Sequence, residues 1–246
     1  MPDNCSPSFL PCLCARKNHA ARPMTPFSPN PTSDMKQIET LIFDYGGVIV
    51  NIDDAPVTQA LADLGISRIE QLIHARKIKK LMRQFIDGLV PTAQTLVEMQ
   101  QLCRKGTTVD EIIEILDQLC GDLPKSRLEM LAELRKKYKV YLLSNICDLL
   151  WEKSEKQMIS LGFNPKDCFD DFFLSYRMNV AKPDSNIYQQ MINATGLVPE
   201  NALYFDDREE NYKAGKALGF QSVLVKTNRI EDTEVWKQLV SNRTPL

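Results

Sequence analysis

The sequence has neither an excess of charge of one sign nor a long hydrophobic run. Lys and Arg number 30 against 32 Asp and Glu, which leaves a net charge of −2 over 246 residues. This balance argues against a basic nucleic-acid binder. Because no run of about 18 apolar residues occurs, no transmembrane helix is expected. The hydrophobic share of 43% and the charged share of 25% exclude a collagen, a disordered regulator and a simple coiled coil.

The seven cysteines form no CxxC pairs, and the four that follow residue 100 have no histidine near them. Their number is odd, and the chain is longer than the small secreted proteins that depend on disulfides. We therefore expect reduced thiols in a cytoplasmic protein, with neither a disulfide framework nor a zinc site.

Residues 1–34 lack the periodicity of helices and strands. Seven of the fourteen prolines fall in this stretch, among Ser, Asn, Thr and Cys. This composition predicts disorder, and the continuous apolar segment of a secretory signal is missing. The stretch is either a disordered tail or a start-site error, with translation beginning at Met35 or Met24. We favour Met35, because the folded pattern begins within three residues of it.

After residue 35, short apolar runs alternate with helical segments. The apolar runs predict strands at 41–43, 140–144, 172–176, 202–207 and 221–225. Continuous apolar runs are typical of strands buried on both faces, and strand–helix alternation predicts a parallel sheet. The predicted fold class is α/β, with a doubly wound, Rossmann-like parallel sheet.

Residues 54–130 interrupt this alternation with helical spacing alone. Apolar residues recur every three or four positions, as at Leu81, Met82, Phe85 and Ile86. Capping-box spacing occurs at Ser67 and Glu70, at Thr108 and Glu111, and at Ser126 and Glu129. We therefore expect a helical cap at 54–130, inserted into a catalytic core formed by 35–53 and 131–246.

Polar residues stand where the predicted strands end. Asp44 follows the first strand, Ser144 ends the second, and Asp206 and Asp207 end a later one. The carboxyl ends of parallel strands share one edge of the sheet, where ligands bind. Carboxylates brought together repel one another unless a cation is present, and their oxygens suit Mg²⁺. Such a centre suits a phosphate substrate, and a carboxylate can itself act as the nucleophile.

Three further features fit a phosphate at this edge. Lys182, in AKPDSNIY, would offset the carboxylates and bind phosphate as a point charge. Glycines after Asp44 would let backbone N–H groups approach phosphoryl oxygens. Ser144 and the N–H of Asn145 would add donors at a helix start. Each feature alone has an ordinary explanation, such as a cap, a turn or a surface lysine. Together, in this order, they favour a functional site.

As an ordered set, these segments resemble the four motifs of the haloacid dehalogenase-like hydrolase superfamily. DYGGV at 44–48 resembles the first motif, LLSN ending at Asn145 the second, Lys182-Pro183 the third, and FDDREEN at 205–211 the fourth. The superfamily also has helical caps after the first motif. The paired acids and AKPDSNIY resemble its phosphatase branch, and IFDYGGVIVNID is similar to a bacterial glucose-1-phosphate phosphatase group.

The resemblance implies a nucleophile and a metal site. Asp44 would attack phosphorus through one oxygen and bind Mg²⁺ through the other. The backbone carbonyl of Gly46 and the carboxylate of Asp207 would complete the site. Asp206 would be a second acid at the metal, directly or through water.

The resemblance also implies groups that bind the phosphate. Ser144, the amide of Asn145 and the backbone at Gly47 would hold phosphoryl oxygens. Lys182 would orient the nucleophile and neutralise the transferred group. Asn211 stands where the family usually has Asp, and its expected role is to order the loop.

One position departs from the family pattern. Most phosphatases of the superfamily carry a second Asp two residues after the nucleophile, which protonates the leaving group and later activates water. Here that position is Gly46. A positioned acid/base contributes about 10²–10⁴-fold in rate. Asp53, Asp54 or an ordered water are the candidates to replace it. The glucose-1-phosphate phosphatase group shares this departure, so an active enzyme is still expected.

The preferred prediction is a Mg²⁺-dependent phosphatase for a small phosphorylated metabolite, with a sugar phosphate favoured. Nucleic acid and membranes are not expected as partners, and the oligomeric state is open. A metal-independent 2-haloacid dehalogenase is one alternative, although Asp206 and Asp207 argue against it. A weakened family member with a binding role is another. In the cap, the segment HARKIKK at 74–80 is interpreted as a solvated helix face, with His74 as a less favoured source of acid chemistry.

Overall fold

The core of the protein is a parallel β-sheet. The computed structural model describes residues 38–53, 55–64 and 80–241. Within them the strands are β1 (Thr40–Phe43), β2 (Lys139–Ser144), β3 (Asp171–Leu174), β4 (Ala202–Asp206) and β5 (Gln221–Leu224). All neighbouring pairs are parallel, in the order β3-β2-β1-β4-β5. The predicted α/β fold is confirmed.

Helices connect the strands and form the inserted cap. Before β2 they are α1 (Ala55–Asp63), α2 (80–87), α3 (Thr92–Gln100), α4 (Val109–Leu116) and α5 (Lys125–Leu134). After β2 they are α6 (Asp148–Ser160), α7 (Pro165–Cys168), α8 (Ser175–Met178), α9 (Ser185–Thr195), α10 (Glu209–Ala217) and α11 (Glu234–Ser241). Short 3₁₀ turns span Asp117–Cys120, Pro199–Asn201 and Ile230–Asp232. In the described part of the chain, no helix has the length and apolar character needed to cross a membrane.

The central strand β1 is buried on both faces. Leu41 and Phe43 belong to one hydrophobic cluster and Ile42 to the other, because successive side chains of a strand point to opposite faces. All three are 0% exposed, as the continuous apolar run predicts. Phe43 stacks on Phe205 of β4 with ring centroids 4.9 Å apart. This packing fixes the end of β1 against its neighbour, where the polar residues begin.

The buried apolar residues of the cap helices belong to the same hydrophobic cluster as Leu41 and Phe43 of β1. Phe85, Leu96 and Ile112 are among them. The start of α4 has the predicted capping box. Glu111 N donates to Thr108 Oγ1 at 3.2 Å, while Thr108 N donates to the Glu111 carboxylate at 2.7 Å. The predicted pair at Ser67 and Glu70 and the segment at 74–80 lie largely outside the described residues.

The chain leaves and re-enters the core at adjacent points. Asn51 and Asp122 form an isolated antiparallel bridge, with N–O distances of 2.8 and 3.1 Å. Helix α5 begins just beyond it, and its Leu128 and Leu131 are buried in the main cluster. The predicted domain boundary at residue 130 falls inside this helix. We propose that the chain returns to the core near residues 121–124, and the division into cap and core stays a prediction.

Two local predictions were wrong. The strand expected at 172–176 ends at Leu174, and Ser175 begins α8. Ser175 Oγ accepts from Ile146 N at 2.9 Å and donates to Asp87 O at 2.5 Å, so the chain turns there to bind other segments. The expected capping box at Ser126 is absent, because the N-cap is Pro124, two residues earlier, and Ser126 lies inside the first turn of α5.

Candidate active site

The polar residues at the strand ends lie together, as the topology predicts. β1 lies between β2 and β4, so Asp44, Ser144 and Asp206 end adjacent strands at the same edge. Carboxylate oxygens of Asp44, Asp206 and Asp207 lie within 4.8 Å of one another. Residues more than 160 positions apart in the sequence therefore form a single acidic centre.

Lys182 lies between two of these carboxylates. Its Nζ is 2.9 Å from Asp44 Oδ2 and 2.7 Å from Asp206 Oδ2, and it donates to the carbonyl oxygen of Leu143 at 2.8 Å. The side chain is 0% exposed. An ammonium group is costly to bury unless it is paired and hydrogen-bonded. The burial and the three acceptors exclude the ordinary explanation of a surface lysine.

Burial and mutual charge shift the pKa values of these groups. Burial raises the pKa of Asp44 to about 7, opposed by the charge of Lys182 and reinforced by Asp206 and Asp207. Burial and the charge of Asp206 likewise raise the pKa of Asp207. Burial alone would lower the pKa of Lys182, but Asp206 and Asp44 raise it above its ordinary value. A cation among the carboxylates would favour their ionised forms.

Asp206 accepts hydrogen bonds from four residues. Besides Lys182, these are the Tyr204 hydroxyl, Arg208 N at 2.9 Å and Asn211 Nδ2 at 3.0 and 3.2 Å. Burial would raise the pKa of Asp206, but the charge of Lys182 and the hydrogen bonds from Lys182, Tyr204 and Arg208 lower it. With its oxygens so engaged, Asp206 is placed to hold Lys182. A role for it at the metal through water remains a prediction.

The oxygen atoms around Asp44 fit a hard divalent cation. Asn211 Oδ1 is buried without a hydrogen-bond partner among the described residues and belongs to a side chain lining the same cavity as Asp44 and Asp207. Gly47 has φ +74, and a Cβ on it would come within 2.6 Å of the Asp207 carboxylate. Oxygen ligands of this kind suit Mg²⁺. The donor set therefore fits the cofactor that the resemblance implies.

The second predicted motif supplies the side of the site facing β2. Ser144 is buried at the end of the strand and, with Asn145, lines the cavity beside Asp44. The Asn145 side chain binds the main chain of Lys182, which the sequence did not predict. Its Oδ1 accepts from Lys182 N at 2.8 Å, and its Nδ2 donates to Lys182 O at 2.9 Å. The phosphate contacts expected of Ser144, Gly47 and the Asn145 amide remain predictions.

A cavity of about 330 Å³ opens from the acidic centre. Beyond the acids, its wall is largely apolar and comes from both core and cap, with Ile52, Ile86, Leu119 and Leu150 among the lining residues. Asn228, in the loop after β5, also lines it, and its Nδ2 donates to Ile52 O at 3.0 Å. Sequence reasoning missed Asn228, because it lies four residues beyond the end of β5 at Leu224 rather than directly after the strand.

The position of the missing acid is filled by another side chain. A Cβ on Gly46 would overlap Ile52 Cδ1. Asp53 is exposed and accepts from Ala55 N at 3.1 Å, so it caps the start of α1. It is not among the described residues that line the cavity. Asp54 and His74 lie outside the described residues. Of the acids proposed from the sequence as replacements, the one that is described therefore caps a helix and does not line the cavity.

The sequence matches a known family over most of its length. Residues 38–219 match the haloacid dehalogenase-like hydrolases. The chain belongs to this family. D-ribitol-5-phosphate phosphatase of Bacteroides thetaiotaomicron is 29% identical over 203 residues, covering 82% of this chain and 96% of the relative. Phosphatase MT3486 of Mycobacterium tuberculosis is 25% identical over 199 residues, covering 76% and 87%.

Solved structures of the family share the fold. A family enzyme of Bacteroides thetaiotaomicron, in complex with magnesium and inorganic phosphate, aligns with a TM-score of 0.69 at 29% identity, over 77% of this chain and 95% of its own. The predicted family, fold and hydrolase class are confirmed. The first of these relatives is a phosphatase, and the solved structure contains magnesium. Both agree with what the sequence resemblance implied.

Proposed function

We propose that this hydrolase is a Mg²⁺-dependent phosphatase for a small phosphorylated metabolite, namely a sugar phosphate or the phosphate of a sugar alcohol. The observation that carries the proposal is the buried arrangement of Asp44, Lys182 and Asp206, with Asp207 on the cavity wall. The curated relative that acts on D-ribitol 5-phosphate supports the substrate class.

Asp44 is the proposed nucleophile. Its Oδ1 accepts from Tyr45 N at 2.6 Å and its Oδ2 from Lys182 Nζ at 2.9 Å, so the carboxylate is fixed at the cavity wall. Attack by one oxygen on phosphorus would form an aspartyl-phosphate and break the bond from phosphorus to the ester oxygen, which would take a proton from water and leave as the alcohol. A second water would then attack phosphorus, release phosphate and regenerate Asp44. Mg²⁺, when bound, would reduce the repulsion between the carboxylates and the phosphoryl oxygens.

Lys182 has two tasks in this proposal. It holds the Asp44 carboxylate in one orientation, and it presents a fixed positive charge to the transferred group. Both tasks depend on burial, because a preorganised charge acts more strongly where water is excluded. Asp206 keeps the ammonium group in place at 2.7 Å.

The cavity supports a small leaving group. Its volume of about 330 Å³ lies at the lower end of the range typical of small-molecule sites. Cap residues such as Ile86 and Leu119 complete its wall, which would exclude water during attack. Such a cavity favours a metabolite over a folded protein or a polynucleotide.

The metal-independent dehalogenase is less well supported. It would use Asp44 on carbon and would not need a further carboxylate at the cavity. Asp207 lies within 4.8 Å of the nucleophile, and both line the cavity. This proximity is electrostatically costly without a cation.

Ranking substrates by kcat/KM tests the proposed class. The panel contains sugar phosphates, sugar-alcohol phosphates, nucleotides, phosphopeptides and 2-haloacids, each with Mg²⁺ and with EDTA. We expect the first two groups to be the best substrates and EDTA to abolish their hydrolysis. Halide release that is indifferent to EDTA would favour the dehalogenase instead, and preference for nucleotides would overturn the substrate class.

A further inference from the structure

A carboxylate of the cap reaches the residues that hold Lys182. Asp87 ends α2 and is only 7% exposed. Its Oδ1 accepts from Asn145 Nδ2 at 3.1 Å, and its Oδ2 pairs with Arg83 Nε at 3.2 Å. Asp87 belongs to none of the four motifs and is not among the described residues lining the cavity. Burying a carboxylate is costly, so its hydrogen bonds this close to the acidic centre call for an explanation.

Asn145 connects Asp87 to the lysine. Its amide oxygen accepts from Lys182 N, while its amide nitrogen donates both to Lys182 O at 2.9 Å and to Asp87. Both hydrogens of the amide nitrogen are therefore used. A hydrogen bond to a charged acceptor is stronger than one between neutral groups. Asp87 thus fixes the amide that holds the main chain of Lys182 on both sides.

The cap is docked here by other contacts as well. Ser175 Oγ donates to Asp87 O at 2.5 Å. Gly88 packs so closely that a Cβ on it would lie 2.8 Å from Ile146 O. These contacts involve the main chain of residues 87 and 88. At this point the cap is therefore attached through its main chain, whereas the Asp87 carboxylate binds Asn145.

We propose that Asp87 is a positioning residue of the active site. Through Asn145 it holds Lys182 so that Nζ stays within hydrogen-bonding distance of Asp44 and Asp206. The catalytic lysine is then oriented by the cap as well as by the core. This proposal rests on the proposed phosphatase function, in which Lys182 acts on the nucleophile and the transferred group.

Three variants test the proposal with the best substrate of the full-length enzyme. D87A removes the acceptor, whereas D87N keeps an amide oxygen that can accept from Asn145. D117A is the matched control, because Asp117 forms another ion pair between cap and core, with Lys153 of α6. We expect D87A to lower kcat about tenfold, as for loss of one charge-assisted hydrogen bond. D87N should recover most of that loss, D117A should keep wild-type kcat, and KM should change less than about twofold throughout.

Other outcomes overturn the proposal. If D87A keeps wild-type kcat, Asp87 does not position Lys182. If D87A and D117A lower kcat equally, or if D87N rescues nothing, the effect comes from general loosening of the cap. If D87A does not fold, D87L removes the same acceptor while keeping side-chain volume, and it is judged by the same criteria.

A crystallographic comparison separates this proposal from the proposed function. If the wild-type protein hydrolyses no phosphate ester, the phosphatase function fails. The distance between Lys182 Nζ and Asp44 Oδ2 in crystals of D87A then decides the positioning role. A distance longer than in wild-type crystals supports it, and an unchanged distance rejects it.

Discussion

Gly46 stands where the family resemblance leads us to expect an acid, and Ile52 lies against it. The Ile52 side chain occupies the space that a side chain at 46 would need. An acid therefore cannot be restored there by a single substitution without displacing Ile52. The lack of a side chain at Gly46 and the presence of Ile52 are therefore complementary.

This pairing predicts the result of restoring the acid. G46D alone should increase kcat less than the double variant described next, because the end of the Ile52 side chain must first move aside. In the double variant G46D/I52A the side chain has room, and we expect kcat to rise about tenfold or more over I52A alone, since a positioned acid/base contributes about 10²–10⁴-fold. Steady-state kinetics of the four proteins measures this. An equal gain in G46D alone would show that Ile52 is no obstacle.

The prediction that Asp207 binds Mg²⁺ can be tested with a single substitution. D207A should abolish the increase in Tm that Mg²⁺ causes in the wild-type protein, because a ligand raises Tm only if it binds the folded state. D53A is the matched control, since Asp53 is exposed and caps α1. It should retain the full shift. A Mg²⁺-dependent shift that survives in D207A would place the metal elsewhere.

Residues that follow strand ends could be predicted from the sequence, and those that act through long-range contacts could not. Asp44, Ser144 and Asp207 are found by the rule that parallel strands end at one edge. The side-chain role of Asn145 depends on Lys182, which is 37 positions away, and that of Asp87 on Asn145, which is 58 positions away. No local pattern encodes either contact.

At the scale of elements, α5 ties the first motif to the C-terminal region. Arg127 is almost fully buried and donates to the carbonyl oxygens of Val48 and Ile49, each at 3.1 Å. It also pairs with Glu231 at 2.6 and 2.8 Å and donates to Asn228 O at 3.3 Å. One guanidinium group therefore holds the loop after β1 against the loop after β5. Both loops contribute residues to the cavity.

Removing this guanidinium should destabilise the protein. R127M leaves buried carbonyl oxygens without their donor, so we expect the free energy of unfolding to fall by about 2–4 kcal/mol. K125M, on the same helix, breaks only an exposed pair with Glu129 and should change it by less than about 0.5 kcal/mol. Urea unfolding of both variants measures this. Equal stability of the two would show that α5 does not hold these loops.

Elements were predicted well where local chemistry determines them. The apolar run of β1 and the capping box at Thr108 are local patterns, and both are present. The end of β3 was misplaced because Ser175 turns away to bind Ile146 and Asp87, which lie in distant segments. Ser175 and Tyr176 continue a strand-like sequence, so their helix could not be predicted from it.

At the scale of the whole molecule, the cap and the core together enclose the cavity in which we propose that the reaction takes place. The cavity wall combines Asp44 and Asp207 of the core with Ile86 and Leu119 of the cap. The insertion of a helical segment after the first strand was visible in the change of hydrophobic period. Which cap residues face the cavity was not, because helical spacing does not orient the cap relative to the sheet.

The most direct test of the account measures phosphate release from the best sugar or sugar-alcohol phosphate by the wild-type protein and by D44N, with Mg²⁺ and with EDTA. Asn is close to Asp in shape and can still accept from Lys182, but its amide is not a nucleophile. The account predicts release only by the wild type with Mg²⁺, while D44N keeps its fold by circular dichroism. Wild-type activity in D44N, or full activity in EDTA, would contradict it.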